Sequence, residues 1–274
     1  NGLRPINIHI RIDFLLLAMN QLANMVSIYQ YMSGSTLKVP LVIRAVIGRG
    51  WGQGAQHSKS MQSVFTHIPG LKVIMPTTPR DAKGMLISAI QDTNPVLMIE
   101  HRWLYWQEDE VPEEPYTVPL EGAAVLKEGS DITIVATSWM NVEAKRASEI
   151  LEKIGVSMEI IDVRTLSPLN PEVIIKSVNK TGHCIIADND WTFCGYSAEL
   201  ATVIGQKCFG KLKKPIERIG FAFTPCPAVR SLENEFYPNA VNIIRSVEEL
   251  LGLSQTNLIG KEFYSHEKRF KGPF

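Results

Sequence analysis

The stretch VPLVIRAVIGRGWGQGAQHS, residues 39–58, decides the fold. Its first half is a short apolar run rich in β-branched residues, the mark of a strand buried on both faces. Its second half sets glycine at every second position from Gly48 to Gly54 and ends on Ala-Gln-His-Ser. Glycine in an ordered region means positive φ or close approach of backbone to something else. No Gly-Lys-Ser/Thr follows, so the loop is not a P-loop, and alternate spacing is not the G-x-G-x-x-G of dinucleotide folds. A buried strand feeding a loop is where open α/β sheets present ligands. That makes His57 the candidate catalytic residue, since imidazole is readily poised near neutral pH. A histidine that only stitches the loop satisfies the same pattern.

Working outward, INIHIRI (6–12) alternates like a strand, and Asp13 is placed to cap a helix running to about Met32. After the glycine loop come a short helix at 60–66 and the strand LKVIMP. Thr78-Pro79 then supplies a cap and a first-turn proline. Ala82, Met85, Leu86, Ala89 and Ile90 form one helical stripe, and PVLMIE closes the half as a strand. QEDEVPEEP (107–115) reads as a solvated linker. A second alternating series follows, with strands at 132–136, 158–163, 184–187 and 217–219 and helices at about 141–154, from 170, at 197–208 and at 241–251. Alternation with buried strands predicts α/β architecture, two parallel-sheet domains with helices on both faces.

The composition is globular, with 45% hydrophobic residues, 20% charged residues and a net charge of zero. Neutrality removes any general pull toward nucleic acid or anionic membrane. Cys184, Cys194, Cys208 and Cys226 lack C-x-x-C spacing and read as reduced thiols. No uninterrupted apolar run reaches the ~20 residues that span a bilayer, and no secretory signal is visible. His9, His67, His101, His183 and His266 have no metal-ligand spacing. Asp188 and Asp190 follow a strand in ADNDWTFCGYSAE, where site acids and solvated turn acids are both found. SAIQDTNP, with Asp92 and Asn94, ends a helix whose orphan carbonyls could face water or a hard cation.

As a set, DFLLLAMNQL, GAQHS, HIPGLKVIMPTTPRDAKGML, AIQDTNPVLMIEH and TPCPAVRSLENEFYPNAVNII resemble the beta subunits of thiamine-diphosphate-dependent 2-oxo acid dehydrogenases, over about residues 3–251. The resemblance implies a thiamine-diphosphate pyrimidine-binding domain over 1–106, a linker at 107–122, a transketolase C-terminal-like domain over 123–258 and a tail at 259–274. It implies oxidative decarboxylation with acyl transfer to lipoamide, in an alpha2beta2 tetramer on a lipoyl acyltransferase core. Thiamine diphosphate would be shared with the alpha subunit, which carries magnesium on a motif beginning Gly-Asp-Gly; this chain has no such triplet. His57 would handle protons, Phe14 would pack on the aminopyrimidine, and Leu41, Ala89, Ile90, Asp92 and Asn94 would form a potassium site.

The family's cofactor-activating glutamate lies upstream of the GLRP segment, ahead of Asn1, so the sequence reads as N-terminally truncated. The first strand also departs from the family at Ile8, His9 and Ile12. Two other readings stand beside the leading one, a split transketolase-like subunit and a non-catalytic assembly paralogue. The second domain is expected to serve assembly more than chemistry. Trp51 and Trp103 are candidates for narrowing a substrate pocket or for plain packing. The expected compartment is a bacterial cytoplasm or an organelle matrix.

Overall fold

The computed structural model describes residues 2–48, 53–259, 261 and 263. Two five-stranded sheets form, one in each half. The first runs β1 (Ile6–His9), β2 (Val42–Ile47), β4 (Val96–His101), β3 (Lys72–Ile74), β8 (Thr165–Ser167). The second runs β10 (Glu217–Phe221), β9 (Cys184–Trp191), β6 (Ile132–Ala136), β7 (Met158–Asp162), β5 (Ala124–Lys127). Pairing is parallel except at β8 against β3 and β5 against β7. The expected pair of parallel-sheet α/β domains is present, and each sheet adds one antiparallel strand at its edge. Both edge strands are short and lack a long apolar run, so no periodicity announces them.

Burial explains why the central strands are readable. All of β4 and all of β6 are buried, and such strands read as continuous apolar runs. The helix Pro79–Gln91 starts as expected, with Thr78 accepting from the Asp81 amide at 3.0 Å. The helix Arg230–Phe236 has no expectation to match, because it lies inside the proline-flanked TPCPAVRSLENEFYP segment.

The two halves are not independent bodies. β8 belongs by sequence to the second half and pairs in the first sheet. One apolar cluster joins Ile43 and Leu97 to Val135, Ile161 and Ile186. The helix Ile12–Met32 is long and apolar enough, by length and composition, to cross a membrane. Ile12, Leu15 and Leu22 from that helix are buried in the shared core. The acidic stretch 107–115 is mostly exposed, as its composition required.

Candidate active site

β1 and β2 are parallel neighbours, so their carboxyl ends lie together, and both chain segments leaving them build the site. Gly48 ends β2 at φ +87°, and a Cβ there would stand 2.6 Å from the His101 ring. Only glycine permits that turn. Gly50, Trp51 and Gly52 lie outside the described residues, so the reading of Trp51 and of the alternating pattern at those positions ends there. The chain resumes in the short helix Gly54–His57, with Gly54 at φ +58°.

His57 Nδ1 lies 2.8 Å from Asp13 Oδ2. Asp13 sits in the first turn of the helix after β1, yet its side chain makes no cap bond. The expected capping role is corrected: the carboxylate turns to the imidazole instead. A carboxylate on Nδ1 fixes the tautomer and leaves Nε2 for proton transfer. The Phe14 ring lies 5.2 Å from the imidazole, tilted by 37°. Both rings line a cavity of about 630 Å³ that Arg11, Arg102, Tyr105 and Trp106 complete.

Around this pair the loop is held from several sides. Arg11 donates to the Gly48 carbonyl at 2.7 Å. Tyr237, from the second half, donates its hydroxyl to the Ser58 carbonyl at 2.5 Å. Arg44 grips Glu100 with two bonds, and Tyr105 donates to the same carboxylate at 2.5 Å. The ion pair raises the Arg44 guanidinium above its ordinary value. Sequence reasoning missed Arg11, Asp13, Tyr105 and Tyr237 as parts of one site. No spacing rule links position 13 to 57 or 58 to 237, and only the fold brings them together.

For a thiamine cofactor, Phe14 offers a 41% exposed aromatic face beside His57, which suits a flat heteroaromatic ring. Among the described residues no group of three His, Cys, Asp or Glu side chains could hold a metal ion. Phe14 and His57 therefore fit the flat ring end of such a cofactor.

The cation-site residues are brought together, and protein groups already serve several of their oxygens. Arg4 donates to the carbonyls of Ile90 and Asp92, both at 2.7 Å. Lys72 pairs with the Asp92 carboxylate at 2.5 Å, and Asn94 donates to its other oxygen at 2.9 Å and 3.0 Å. The Leu41 carbonyl accepts from Val96, and Ala89 is buried. Burial raises the Asp92 carboxyl, but the Lys72 and Asn94 bonds prevail and leave it below the usual range. Arg4 and Lys72 place positive charge against these oxygens.

Asp188 and Asp190 do not reach the cavity. Asp188 accepts from Gln62 at 3.0 Å and from Thr137 at 2.5 Å, while Asp190 accepts from Ser63 at 2.9 Å. They stitch the two halves. Trp103 packs edge-on against Trp139 at 5.1 Å, a contact across the same seam.

Residues 1–107 match the family "Transketolase, pyrimidine binding domain", and residues 121–243 match "Transketolase, C-terminal domain". The chain is 39% identical over 250 residues to the acetoin:2,6-dichlorophenolindophenol oxidoreductase subunit beta of Cupriavidus necator, covering 91% of this chain and 74% of that protein. It is 38% identical to the pyruvate dehydrogenase E1 component subunit beta of Porphyra purpurea, covering 93% and 77%. A similar mitochondrial subunit from Saccharomyces cerevisiae is also 38% identical, covering 92% and 70%. Among solved structures, a split gene transketolase described as an inactive beta4 tetramer aligns with a TM-score of 0.70 at 22% identity, covering 93% of this chain and 78% of that one. That likeness concerns the fold.

Proposed function

This chain belongs to the transketolase-like family of 2-oxo acid dehydrogenase beta subunits, and from that premise we propose that it forms half of a decarboxylating component. The reaction is oxidative decarboxylation of a 2-oxo acid with acyl transfer to lipoamide. The partner is an alpha subunit, in an alpha2beta2 tetramer attached to a lipoyl acyltransferase core. The compartment is a bacterial cytoplasm or an organelle matrix. One observation carries the reading: the Asp13–His57 pair stands beside the exposed Phe14 face on a single cavity.

Bound thiamine diphosphate supplies the electron sink that lets a 2-oxo acid lose carbon dioxide, with magnesium held by the partner. The chain's own residues do the rest. Phe14 seats the aromatic ring by its face. His57, oriented through Nδ1 by Asp13, accepts or returns a proton at Nε2 and stabilises negative charge developing on a substrate oxygen. Ile8, Ile10 and Val46 give the cavity an apolar wall.

Calorimetry tests the division of the site. The chain alone should show no tight binding of thiamine diphosphate, because each phosphate charge needs paired donors or a metal. Adding the alpha subunit should produce binding, and with it carbon dioxide release from a 2-oxo acid. Micromolar binding by the isolated chain would overturn the shared-site reading.

A further inference from the structure

The chain as a whole is neutral, but its positive charge is not evenly spread. IGQKCFGKLKKPI, residues 204–216, holds four lysines and no acid, and the acids that bound it are Glu199 and Glu217. This stretch ends the helix Tyr196–Lys207 and leads into β10.

It forms a well-anchored turn. Cys208 is fully buried, and Leu212 packs against the core that contains it. The Lys211 amide donates to the Cys208 carbonyl at 2.9 Å, and Gly210 takes φ +78° to allow the reversal. The Lys213 amide donates to the Gly182 carbonyl at 2.9 Å, which ties the far side of the turn to the helix Glu172–Thr181. With both shoulders pinned, Phe209 is left 91% exposed, and among the described residues no large apolar side chain is more exposed. One exposed aromatic is ordinary by itself. The charges around it are not.

Some of the local lysines have structural partners. Lys180 pairs with Glu128 and Glu159, and Lys213 donates its Nζ to the Thr181 carbonyl at 3.1 Å. Lys207 complements the carbonyl end of its own helix. Lys211 and Lys214 are exposed, and their side chains make no hydrogen bond or ion pair among the described residues. The positive field also reaches inward. Burial first, then the charges of Lys213 and Lys214, hold the neighbouring His183 imidazole below its ordinary value.

A pinned turn loses little freedom on binding, an exposed aromatic supplies an anchor, and unpaired cations select a partner of opposite charge. We propose that the turn 207–214 is a docking site for an acidic protein segment that carries an apolar side chain to meet Phe209. A single segment needs to touch only the lysines and the ring. An anionic membrane would meet the whole face, including Glu217 beside the turn and Glu128, whose side chain is 80% exposed next to Lys180. None of the residues lining the His57 cavity belongs to this turn, so the inference stands apart from the catalytic reading.

The test uses the full chain and a fluorescein-labelled peptide of mixed aspartate and glutamate around one central leucine. Fluorescence anisotropy should show saturable binding at physiological ionic strength, weakening as salt is raised. Replacing the peptide's leucine by serine, or introducing Phe209→Ser in the chain, should weaken binding by about tenfold, the usual worth of an interface anchor. Lys211→Glu combined with Lys214→Glu should weaken it by about tenfold or more and flatten its salt dependence. Lys211→Arg combined with Lys214→Arg should preserve it. All three side chains are exposed, so the variants should melt near the parent temperature. Absence of saturable binding overturns the proposal, as does binding that ignores the Glu substitutions. Loss with the Glu substitutions but none with Phe209→Ser also overturns it, because plain charge attraction then accounts for the result. Vesicles of phosphatidylcholine and phosphatidylserine give the last arm: if they bind the parent in place of the peptide and release the double Glu variant, the turn is a membrane site and the proposal falls.

Discussion

At the carboxyl ends of β1 and β2 the chain delivers Asp13 and His57 to an open cavity, with the imidazole side chain 29% exposed. At the carboxyl end of β9 it delivers Asp188 and Asp190 to a seam where they are 1% and 2% exposed. Both places follow the rule that parallel strands point their functional ends in one direction. They differ in what packs on top. Past β2, His57 lies against Asp13 and beside the cavity. Gln62, Ser63 and Thr137 close over β9 and bond one oxygen of each acid. An acid at a strand end becomes chemistry only where the neighbouring element withholds a partner.

The comparison breaks most visibly at His57. In the assembled enzyme, His57→Ala should lower kcat by about 10²–10⁴-fold, the usual worth of an acid–base group. Its thermal midpoint should stay near the parent's, because the ring is part-exposed. A smaller loss than that caused by Asp188→Asn would reverse the assignment of the two strand ends.

Asp13→Asn sharpens the same end. The amide keeps the shape and loses the charge that orients the imidazole, so kcat should fall by roughly tenfold to a hundredfold. KM for the 2-oxo acid should move much less. If kcat is untouched, the 2.8 Å contact is a loop stitch, and His57 acts without a positioning partner.

A weaker effect is expected where the second half touches the first. Tyr237→Phe removes one hydroxyl bond to the Ser58 carbonyl, which should cost about 1 kcal/mol of stability. Misplacing the loop that carries His57 should lower kcat severalfold, read from initial rates with the alpha subunit present. Stability loss without any rate loss would mean that the second half supports the fold and not the site.

Much of this architecture is legible in the amino-acid sequence. Buried central strands announce themselves through runs such as VPLVIRAVI and DITIVA, and Thr78-Pro79 announces a helix start. β5 and β8 do not, since short antiparallel edges carry no distinctive period. His57 and Phe14 stand out through a motif, and the structure places them together. Asp13 is legible only as a cap, because local rules assign a first-turn acid to its own helix. Arg11 looks like a polar strand residue; its burial depends on β2 and on the turn after β4, neither of which is near it in sequence. Assembly is the expected business of the second half, yet its Tyr237 also bonds the backbone next to His57.

The smallest effect concerns the seam acids and pH. Burial raises Asp188, and burial with the nearby Asp188 charge raises Asp190 to about 7. Burial likewise brings Asp162 to about 7, against 3.8 for an ordinary Asp. A carboxyl with a raised folded value binds its proton more tightly in the native state. Between about pH 4 and 7 the folded chain therefore holds more protons than the unfolded chain, and stability falls as pH rises through that window, then levels. The lowered carboxyls of Asp92, Glu159 and Glu248 act in the opposite sense, but below their ordinary values. Burial lowers His9 and His183, which favours folding as pH rises near 6.5. The difference between variants is thus cleaner than the slope itself. Melting curves at pH 5 and pH 8 should show a smaller drop for Asp190→Asn than for the parent, because one titrating group has been removed. Activity of that variant should stay within a few-fold of the parent. An unchanged drop in melting temperature would show that Asp190 is ionised in its seam, and a loss of rate matching that of His57→Ala would show that the seam is part of the chemistry.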